Sequence, residues 1–435
     1  MGTRIETIAL QEPSLGHEPD QEVSRPEMSD ESIRPADARN RDSSRARLSA
    51  LAGNAVLQLP IWGFAMSYGV FQEYYSSNWT FAGNRDVTGI IGTTSNGVMY
   101  LSMPILFAMF TRRWAHKRQL AALCGVALTC LSFLLASFSS HVWHLVATQG
   151  VLSALGCALV YSPTTLSLGE WYSTKNRAVA YGIVLSSKNI VGSTCPFLLR
   201  ALLDRYGFRM AMVSWMAITA GTGLAAIFLV TTPSTTVAQT RTSHPSTRKI
   251  PWHFLKHQTF YIYTVAIVLQ SSGYGIPQTY LNTYAHDVTL LSQTTATLML
   301  TIFNLPGIMS SSFFGYLSDN PHFRLSASTV TFISATSSAV SAFLFWGLTS
   351  PGSLGLLIMF SMTFGFFAGG YSATWGGVIN EMESEAAERN EAIDTGMVYG
   401  LLNGARGVGY ASRQCLVAGG CYGGAKGDFS AEADN

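Results

Sequence analysis

The stretch GIVLSSKNIVGSTCPFLL, residues 182–199, is apolar along its whole length except for a few small polar residues and one lysine, Lys188. An apolar segment of about 20 residues is long enough to cross the hydrocarbon core of a bilayer as a helix. The stretch therefore predicts a membrane-spanning helix. A lysine at that depth is costly, so its presence needs a reason.

The rest of the chain repeats this pattern. Of its 435 residues, 48% are hydrophobic and only 12% are charged, whereas soluble domains average about 25% charged residues. Continuous apolar runs predict helices rather than barrel strands. We predict an all-α polytopic membrane protein of the type with two six-helix bundles, its second bundle incomplete, with about eleven spans: 54–75, 88–110, 119–138, 142–167, 179–203, 210–230, 260–283, 289–313, 325–347, 353–379 and 393–412.

Polar segments divide these spans into domains. Residues 1–53 are charged and contain proline, which predicts a disordered cytoplasmic tail. The longest interior gap, 231–259, is rich in Ser, Thr and Pro and becomes basic. This linker separates a six-helix bundle at 54–230 from a five-span bundle at 260–412, and an irregular tail follows at 413–435. Two bundles joined by a polar linker are typical of secondary transporters, although any polytopic protein with one long loop would also fit.

Basic residues predict the orientation. Loops on one side hold most of the Lys and Arg, beginning with Arg112, Arg113, Lys117 and Arg118, while the opposite loops hold Arg85, Arg205 and Arg209. By the positive-inside rule the N-terminus is cytoplasmic. We expect an integral, multi-pass protein of the plasma membrane.

Small residues and helix breakers recur inside the spans. Glycines spaced by four residues predict close helix packing, and they occur at Gly365 and Gly369 and at Gly396, Gly400 and Gly404. Proline-containing breaks are expected to interrupt three spans, at Ser162-Pro163, at SSGYGIP (271–277) and at Leu305-Pro306-Gly307.

Two cations lie well inside spans, Lys188 in the first bundle and Arg406 in the second, and no Asp or Glu lies near the middle of any span. An ionisable residue at membrane depth is a candidate functional site. Two cations facing one cavity favour an anionic substrate, because guanidinium and ammonium groups both bind carboxylates. Alternatively, Lys188 snorkels or donates to carbonyls freed near Gly192 and Pro196, and Arg406 lies near a membrane face.

Other polar side chains in the spans are either ligand contacts or partners in interhelical hydrogen bonds. Trp375 is one of them. The predicted substrate-binding set consists of Lys188, Arg406, Tyr161, Gln270, Tyr274, Asn304 and Asn403.

The sequence gives no sign of an enzyme. It contains no nucleophile elbow, no metal-ligand spacing and no phosphate-binding loop, so we predict no catalytic residue, no metal and no cofactor. The net charge of +2 does not indicate a nucleic-acid partner. The expected partners are the lipid bilayer and a small, anionic substrate.

Four segments resemble the monocarboxylate-porter branch of the major facilitator superfamily, in its fungal form. They are LPIWGFAMSYGVFQEYY (59–75), EWYSTKNRAVAYGIVLSSKNIVGS (170–193), RYGFRMAM (205–212) and NLPGIMSSSFFGYLSDN (304–320). The resemblance extends over about residues 50–412, and the second segment is the most specific. It implies a twelve-helix fold, a central site and alternating access.

The sequence also departs from that branch. Proton-coupled animal members carry a lysine where Met66 stands, and an aspartate and an arginine where Gly307 and Ser311 stand. Lactate–proton symport therefore does not carry over residue by residue. After Gly409 no twelfth span is predicted. The leading hypothesis is a transporter of small organic anions, and the alternatives are a non-transporting membrane sensor or receptor, or an inactive truncated form.

Overall fold

The computed structural model describes residues 36–77, 81–82, 88–172, 176–230, 252–287, 289–319, 325–350 and 353–428. These residues are almost entirely helical, and the one bridge between extended residues among them joins Ala82 to His141. Residues Arg45–Asn435 form one compact unit, and a separate unit, Met1–Ser44, contains the beginning of the first helix. The all-α fold class is thereby confirmed.

The N-terminal part contains seven α-helices among the described residues, and the first of them begins before the first predicted span. They are α1 (Ala36–Met66), α2 (Tyr68–Ser77), α3 (Thr88–Ala108), α4 (Arg118–Ser137), α5 (Val142–Leu145), α6 (Ser153–Trp171) and α7 (Arg177–Leu229). Wider π-helical turns continue α3 at Met109–Arg113 and join α5 to α6 at Val146–Leu152, and a short 3₁₀ turn, Ala115–Lys117, precedes α4.

The C-terminal part begins with a 3₁₀ turn at His253–Lys256. Its helices are α8 (Gln258–Asp287), α9 (Gln293–Asp319), α10 (Ala327–Ser341), α11 (Leu354–Gly370), α12 (Trp375–Glu388) and α13 (Thr395–Asp428). A π-helical turn, Ala342–Trp346, extends α10, and a 3₁₀ turn, Tyr371–Thr374, joins α11 to α12. Most of the predicted linker lies outside the described residues, so the division into two bundles stays a prediction.

Within the described residues, 8 helical stretches are long and apolar enough to cross a membrane. They overlap all the predicted spans except 260–283 and 393–412, which overlap the long helices α8 and α13. The stretch Arg177–Leu229 holds two predicted spans, and Gly207 separates them with φ 74° and ψ 175°. This left-handed backbone is favourable only for glycine, so the predicted break between the fifth and sixth spans is confirmed.

Three predictions about local structure were wrong. Residues 36–53, predicted to be disordered, are helical, because the chain from Ala36 onward has good helix formers and continues into an apolar span. Residues 413–428, predicted to be irregular, prolong α13. The proline-containing breaks at Pro163, Pro277 and Pro306 do not end their helices, because packed neighbouring helices can compensate for one lost backbone hydrogen bond.

Close contacts join helices that are distant in the sequence. Helix α7 packs along α9, and α3 packs along α13. A β-carbon at Gly182 would lie 2.8 Å from the Ser311 carbonyl oxygen, and one at Gly404 would lie 2.5 Å from Pro104. Glycine at these positions lets the backbones approach, as the predicted packing role of Gly396, Gly400 and Gly404 requires.

Candidate substrate site

Lys188 lies near the middle of its span. It follows Arg177, the first residue of α7, by eleven residues and precedes Arg200 by twelve. With a rise of about 1.5 Å per residue, these two arginines are about 35 Å apart, close to the thickness of the hydrocarbon core. Only 7% of Lys188 is exposed, so its ammonium does not snorkel to a membrane face. Its Nζ instead lies 4.1 Å from the ring centroid of Trp62 on α1.

Arg406 lies on α13 and is 4% exposed. Its guanidinium carbon lies over three aromatic rings on three other helices, at 5.3 Å from the centroid of Tyr100, 5.5 Å from Tyr274 and 5.7 Å from Trp375. Its Nη1 donates a hydrogen bond to the hydroxyl of Ser372. Tyr100 and Tyr274 lie near the middle of the predicted spans 88–110 and 260–283, so the alternative placement of Arg406 at a membrane face does not fit these contacts.

The two cations belong to one cluster. The Trp62 ring beneath Lys188 contacts the Tyr100 ring beneath Arg406, with centroids 5.5 Å apart. We call Lys188, Arg406, Trp62, Tyr100, Tyr274 and Trp375 the central cluster. Its members come from α1, α3, α7, α8, α12 and α13, so the cluster depends on the tertiary fold.

The central cluster is rich in hydrogen-bond donors and poor in acceptors. Among the residues that the structure describes, no carboxylate forms an ion pair with Lys188 or Arg406. Three buried N–H groups have no hydrogen-bond acceptor: Arg406 Nε, Trp62 Nε1 and Trp375 Nε1. A buried donor without an acceptor is destabilising. The cluster can therefore satisfy its donors by binding a ligand that carries acceptor atoms and negative charge.

A layer of tyrosines and polar groups holds the central cluster in place. The hydroxyls of Tyr161 and Tyr399 are 3.0 Å apart. Tyr410 stacks on Tyr100 with centroids 5.7 Å apart, and its hydroxyl donates to Gln278 Oε1 at 3.2 Å. Gln278 also places its amide nitrogen 3.0 Å from the sulfur of Met66. These contacts fix the rings against which the cations lie.

The structure brings together four members of the predicted site. Lys188, Arg406 and Tyr274 belong to the central cluster, and Tyr161 packs on Trp62 edge to face at 6.1 Å. The amides of the remaining asparagines bond to backbone: Asn403 donates to the Tyr399 carbonyl at 2.8 Å, and Asn304 donates to the carbonyls of Leu300 and Gly192.

Of these bonds, the one from Asn304 to Gly192 fits the alternative that such amides form interhelical hydrogen bonds. Asn403 bonds within α13, and the bond from Asn304 to Gly192 joins α9 to α7. Gln270 is different, because both atoms of its side-chain amide are buried without a hydrogen-bond partner. No described contact joins Gln270 to either cation.

Sequence reasoning missed Trp62, Tyr100, Tyr399 and Tyr410. A signal for two of them was present. Tyr399, Asn403, Arg406 and Tyr410 recur at intervals of four, three and four residues, which places them on one face of a helix. Trp62 and Tyr100 have no such link to a cation in the sequence, since they approach only through helix packing.

Cations at the two ends of the fifth predicted span, which is the part of α7 before Gly207, have carboxylate partners. Arg200 forms an ion pair with Glu73, which is buried, and contacts Gln293 on α9. The Gln293 amide also donates to Glu73 at 2.8 Å. We call Glu73, Arg200 and Gln293 the Glu73 cluster. Asp204 accepts a further hydrogen bond from Arg200 at 3.0 Å at a more exposed position.

The other end of this span, at the start of α7, carries a second polar contact. Arg177 donates to Glu383 at 3.0 Å and lies 3.5 Å from Asn380, both on α12. We call Arg177, Asn380 and Glu383 the Arg177 cluster. Nearby, Arg118 pairs with Glu170 at 2.8 Å and donates to the Phe110 carbonyl at 2.9 Å. Polar contacts thus connect distant parts of the chain at both ends, with the central cluster between them.

Long apolar helices around a buried, charged centre define a polytopic α-helical membrane protein. Comparison with known families identifies it further, because the model of the Major Facilitator Superfamily matches residues 51–412. The chain therefore belongs to the major facilitator superfamily.

Curated relatives agree with this assignment. An MFS-type transporter of Gibberella moniliformis is 28% identical over 306 residues, 70% of each chain. Monocarboxylate transporter 13 of Bos taurus is 27% identical over 228 residues, which are 52% of this chain and 51% of the relative. Monocarboxylate transporter 12 of Homo sapiens is 28% identical over 281 residues, 58% and 54% of the two chains.

Proposed function

We propose that the chain is a secondary transporter of a small organic anion of the monocarboxylate class, and that it works by alternating access. The observation that carries this proposal is the central cluster, in which two buried cations have no carboxylate partner among the described residues. The names of the monocarboxylate transporters among its relatives support the same substrate class.

The chemistry of the cluster favours a carboxylate. A buried cation without a counter-ion is costly, and aromatic faces offset only part of that cost. An incoming carboxylate would accept hydrogen bonds from Arg406, whose Nε is unpartnered and whose planar fork suits two parallel bonds. Lys188 would add a point charge from the other side of the Trp62–Tyr100 pair. A neutral ligand would leave both charges uncompensated.

The end clusters suit gates for alternating access. The Glu73 cluster joins α2 and α7 to α9, and the Arg177 cluster joins α7 to α12. With the two bundles that the sequence predicts, each cluster connects one bundle to the other at one face of the membrane. Opening a path to the central cluster would require one of these clusters to separate while the other holds. In the predicted orientation, with a cytoplasmic N-terminus in the plasma membrane, the Glu73 cluster faces outward.

The proposal is tested by uptake. The purified full chain in proteoliposomes is given labelled lactate, pyruvate and butyrate across imposed pH gradients, with protein-free vesicles as the reference for leakage. We expect saturable uptake of at least one carboxylate. We also expect Lys188→Ala to lower it by about tenfold, the effect of losing about 1.4 kcal/mol of binding.

A matched control uses an exposed lysine. Lys117 lies in the turn before α4, and Lys117→Ala should leave uptake unchanged. Equal effects of the two substitutions would remove Lys188 from the mechanism. Binding of a carboxylate without any uptake would contradict transport and favour a receptor. Uptake would also support the expectation that the chain is not an enzyme, because a transported substrate crosses the membrane unmodified.

A further inference from the structure

We infer that the preferred substrate is an aromatic carboxylate, with a planar ring directly attached to or conjugated with its carboxyl group, rather than a short aliphatic acid. The inference rests on the proposed function and narrows its substrate class. It follows from what surrounds the two cations: four aromatic rings from four different helices.

The rings form a cage and not a stripe along one helix. Trp62 lies on α1, Tyr100 on α3, Tyr274 on α8 and Trp375 on α12, and each has the charged group of Lys188 or Arg406 over its ring. Aromatic rings spaced along one helix are usually ordinary core. Four rings that converge on two cations from four helices instead indicate a built site.

The unpartnered donors indicate where a carboxylate would lie. Arg406 Nε and the indole N–H groups of Trp62 and Trp375 are buried without acceptors, although buried tryptophans usually find one. In the proposed complex the carboxylate accepts a hydrogen bond from Arg406 Nε, and the two indole N–H groups are further donors in the same cluster.

The remainder of the ligand would then lie against the Tyr274 ring, whose own packing partners are phenylalanines without polar groups. Tyr274 is backed by Phe303 and Phe364, with centroids 6.0 and 6.3 Å from its own, and those two rings are 5.7 Å apart. This backing fixes the Tyr274 ring in advance, which reduces the entropy lost on binding. If a carboxylate draws the cations away from the ring faces, an aromatic ring of the ligand can stack there, whereas a saturated chain gains only contact area.

The test is binding to the purified full chain in lipid nanodiscs. Labelled benzoate is bound at neutral pH and displaced with benzoate, cyclohexanecarboxylate, lactate or benzamide. Benzoate and cyclohexanecarboxylate share charge and approximate size but differ in planarity and π character. We expect benzoate to compete about tenfold better than cyclohexanecarboxylate, from one or two stacking contacts. Neutral benzamide should not compete.

Variants separate the ring from the cation. Tyr274→Leu should reduce the preference for benzoate over cyclohexanecarboxylate to near unity, and Tyr274→Phe, which keeps the ring, should retain it. Phe208→Leu is the matched control, because Phe208 packs on Tyr75 and Phe81 at 5.8 and 5.3 Å in an aromatic group without a cation. That substitution should leave the preference unchanged.

The outcomes distinguish this inference from the proposed function. Equal competition by benzoate and cyclohexanecarboxylate, or a preference that Tyr274→Leu leaves intact, overturns the aromatic substrate. So does an absence of benzoate binding by protein that still takes up lactate or butyrate, and in that case the transport of organic anions stands. If the protein neither binds benzoate nor takes up any carboxylate, both the aromatic substrate and the proposed function are overturned.

Discussion

The cations at the centre of the molecule differ from those at its ends. Arg118, Arg177 and Arg200 all have a glutamate partner, whereas Lys188 and Arg406 lie over aromatic rings. A cation that has its own carboxylate is already compensated and holds helices together. A cation that has only π faces is under-compensated and can bind an external anion. The contrast separates the clusters proposed to act as gates from the part proposed to bind substrate.

The largest effect is expected from giving a central cation its own carboxylate. Ser372, which accepts a hydrogen bond from Arg406, is the position for this change. Ser372→Asp should form an internal ion pair with Arg406 and reduce carboxylate affinity about 100-fold, because a hydrogen bond to a charged group contributes about 1.5–3 kcal/mol. Binding and uptake measure the effect.

Ser372→Asn provides the control for this variant, because it has nearly the same shape and no charge. Ser372→Asn should reduce the carboxylate affinity far less than Ser372→Asp does. If both substitutions weakened binding equally, steric change and not charge would explain the loss, and the contrast between central and end cations would lose its meaning for substrate binding.

A smaller effect is expected at the Glu73 cluster. Glu73→Gln would leave Arg200 with Asp204, whose side chain is 55% exposed, as its remaining carboxylate. Breaking a buried pair can cost about 3–5 kcal/mol, and the remaining partner should reduce this to about 2 kcal/mol. Hydrogen exchange at the start of α9, near Gln293, should accelerate roughly 30-fold.

Asp204→Asn removes the other carboxylate partner of Arg200, which is the more exposed of the two. Because exposed ion pairs contribute about 1 kcal/mol or less, exchange near Gln293 should change little. An equal acceleration in the two variants would show that Glu73 does not hold α9, and the cluster would no longer qualify as a gate.

The Arg177 cluster should respond less, since the Glu383 side chain is 27% exposed. Glu383→Gln should accelerate hydrogen exchange in the first turns of α7 by about threefold to fivefold, as expected for a partly screened pair of up to about 1 kcal/mol. Exchange at the Glu73 cluster should be unaffected. Acceleration at both ends would indicate general destabilisation instead of a local gate.

The smallest effect concerns a contact outside the membrane-spanning segments. His257 lies against Glu391 at 2.8 Å and Glu385 at 3.4 Å, and Arg389 and His253 also face this group. The hydrogen bond from His257 lowers the pKa of Glu391 below its usual value. Because the pKa of Glu391 is lowered in the folded protein, its contact with His257 stabilises the adjoining turn, His253–Lys256, at pH values above the unfolded pKa of about 4.3. This stabilisation disappears as the pH falls through the lower pKa of the folded state.

Limited proteolysis or hydrogen exchange at residues 253–257 would measure this dependence. Protection should be constant above about pH 5 and should decline below about pH 4. Glu391→Gln should remove the decline and show weak protection throughout. A decline that persists in this variant would exclude Glu391 as its cause.

Much of the fold follows from apolar runs alone. Spans such as 88–110 and 142–167 were predicted close to their observed helices because length and hydropathy determine whether a segment can cross a bilayer. The helical ends at 36–53 and 413–428 were not predicted, since composition says little about how far a helix continues beyond the membrane. The effect of the proline-containing breaks was also overestimated, because neighbouring helices decide whether a proline interrupts a span.

The sequence by itself determined that Lys188 and Arg406 are at membrane depth and that no carboxylate is at the middle of any span, because these are properties of position along a helix. Only the tertiary structure decided that both cations share one cluster, that Trp62 and Tyr100 lie between them, and that Glu73 pairs with Arg200. Those contacts join helices far apart in the sequence, and helical periodicity specifies the face of a residue but not the neighbour that packs against it.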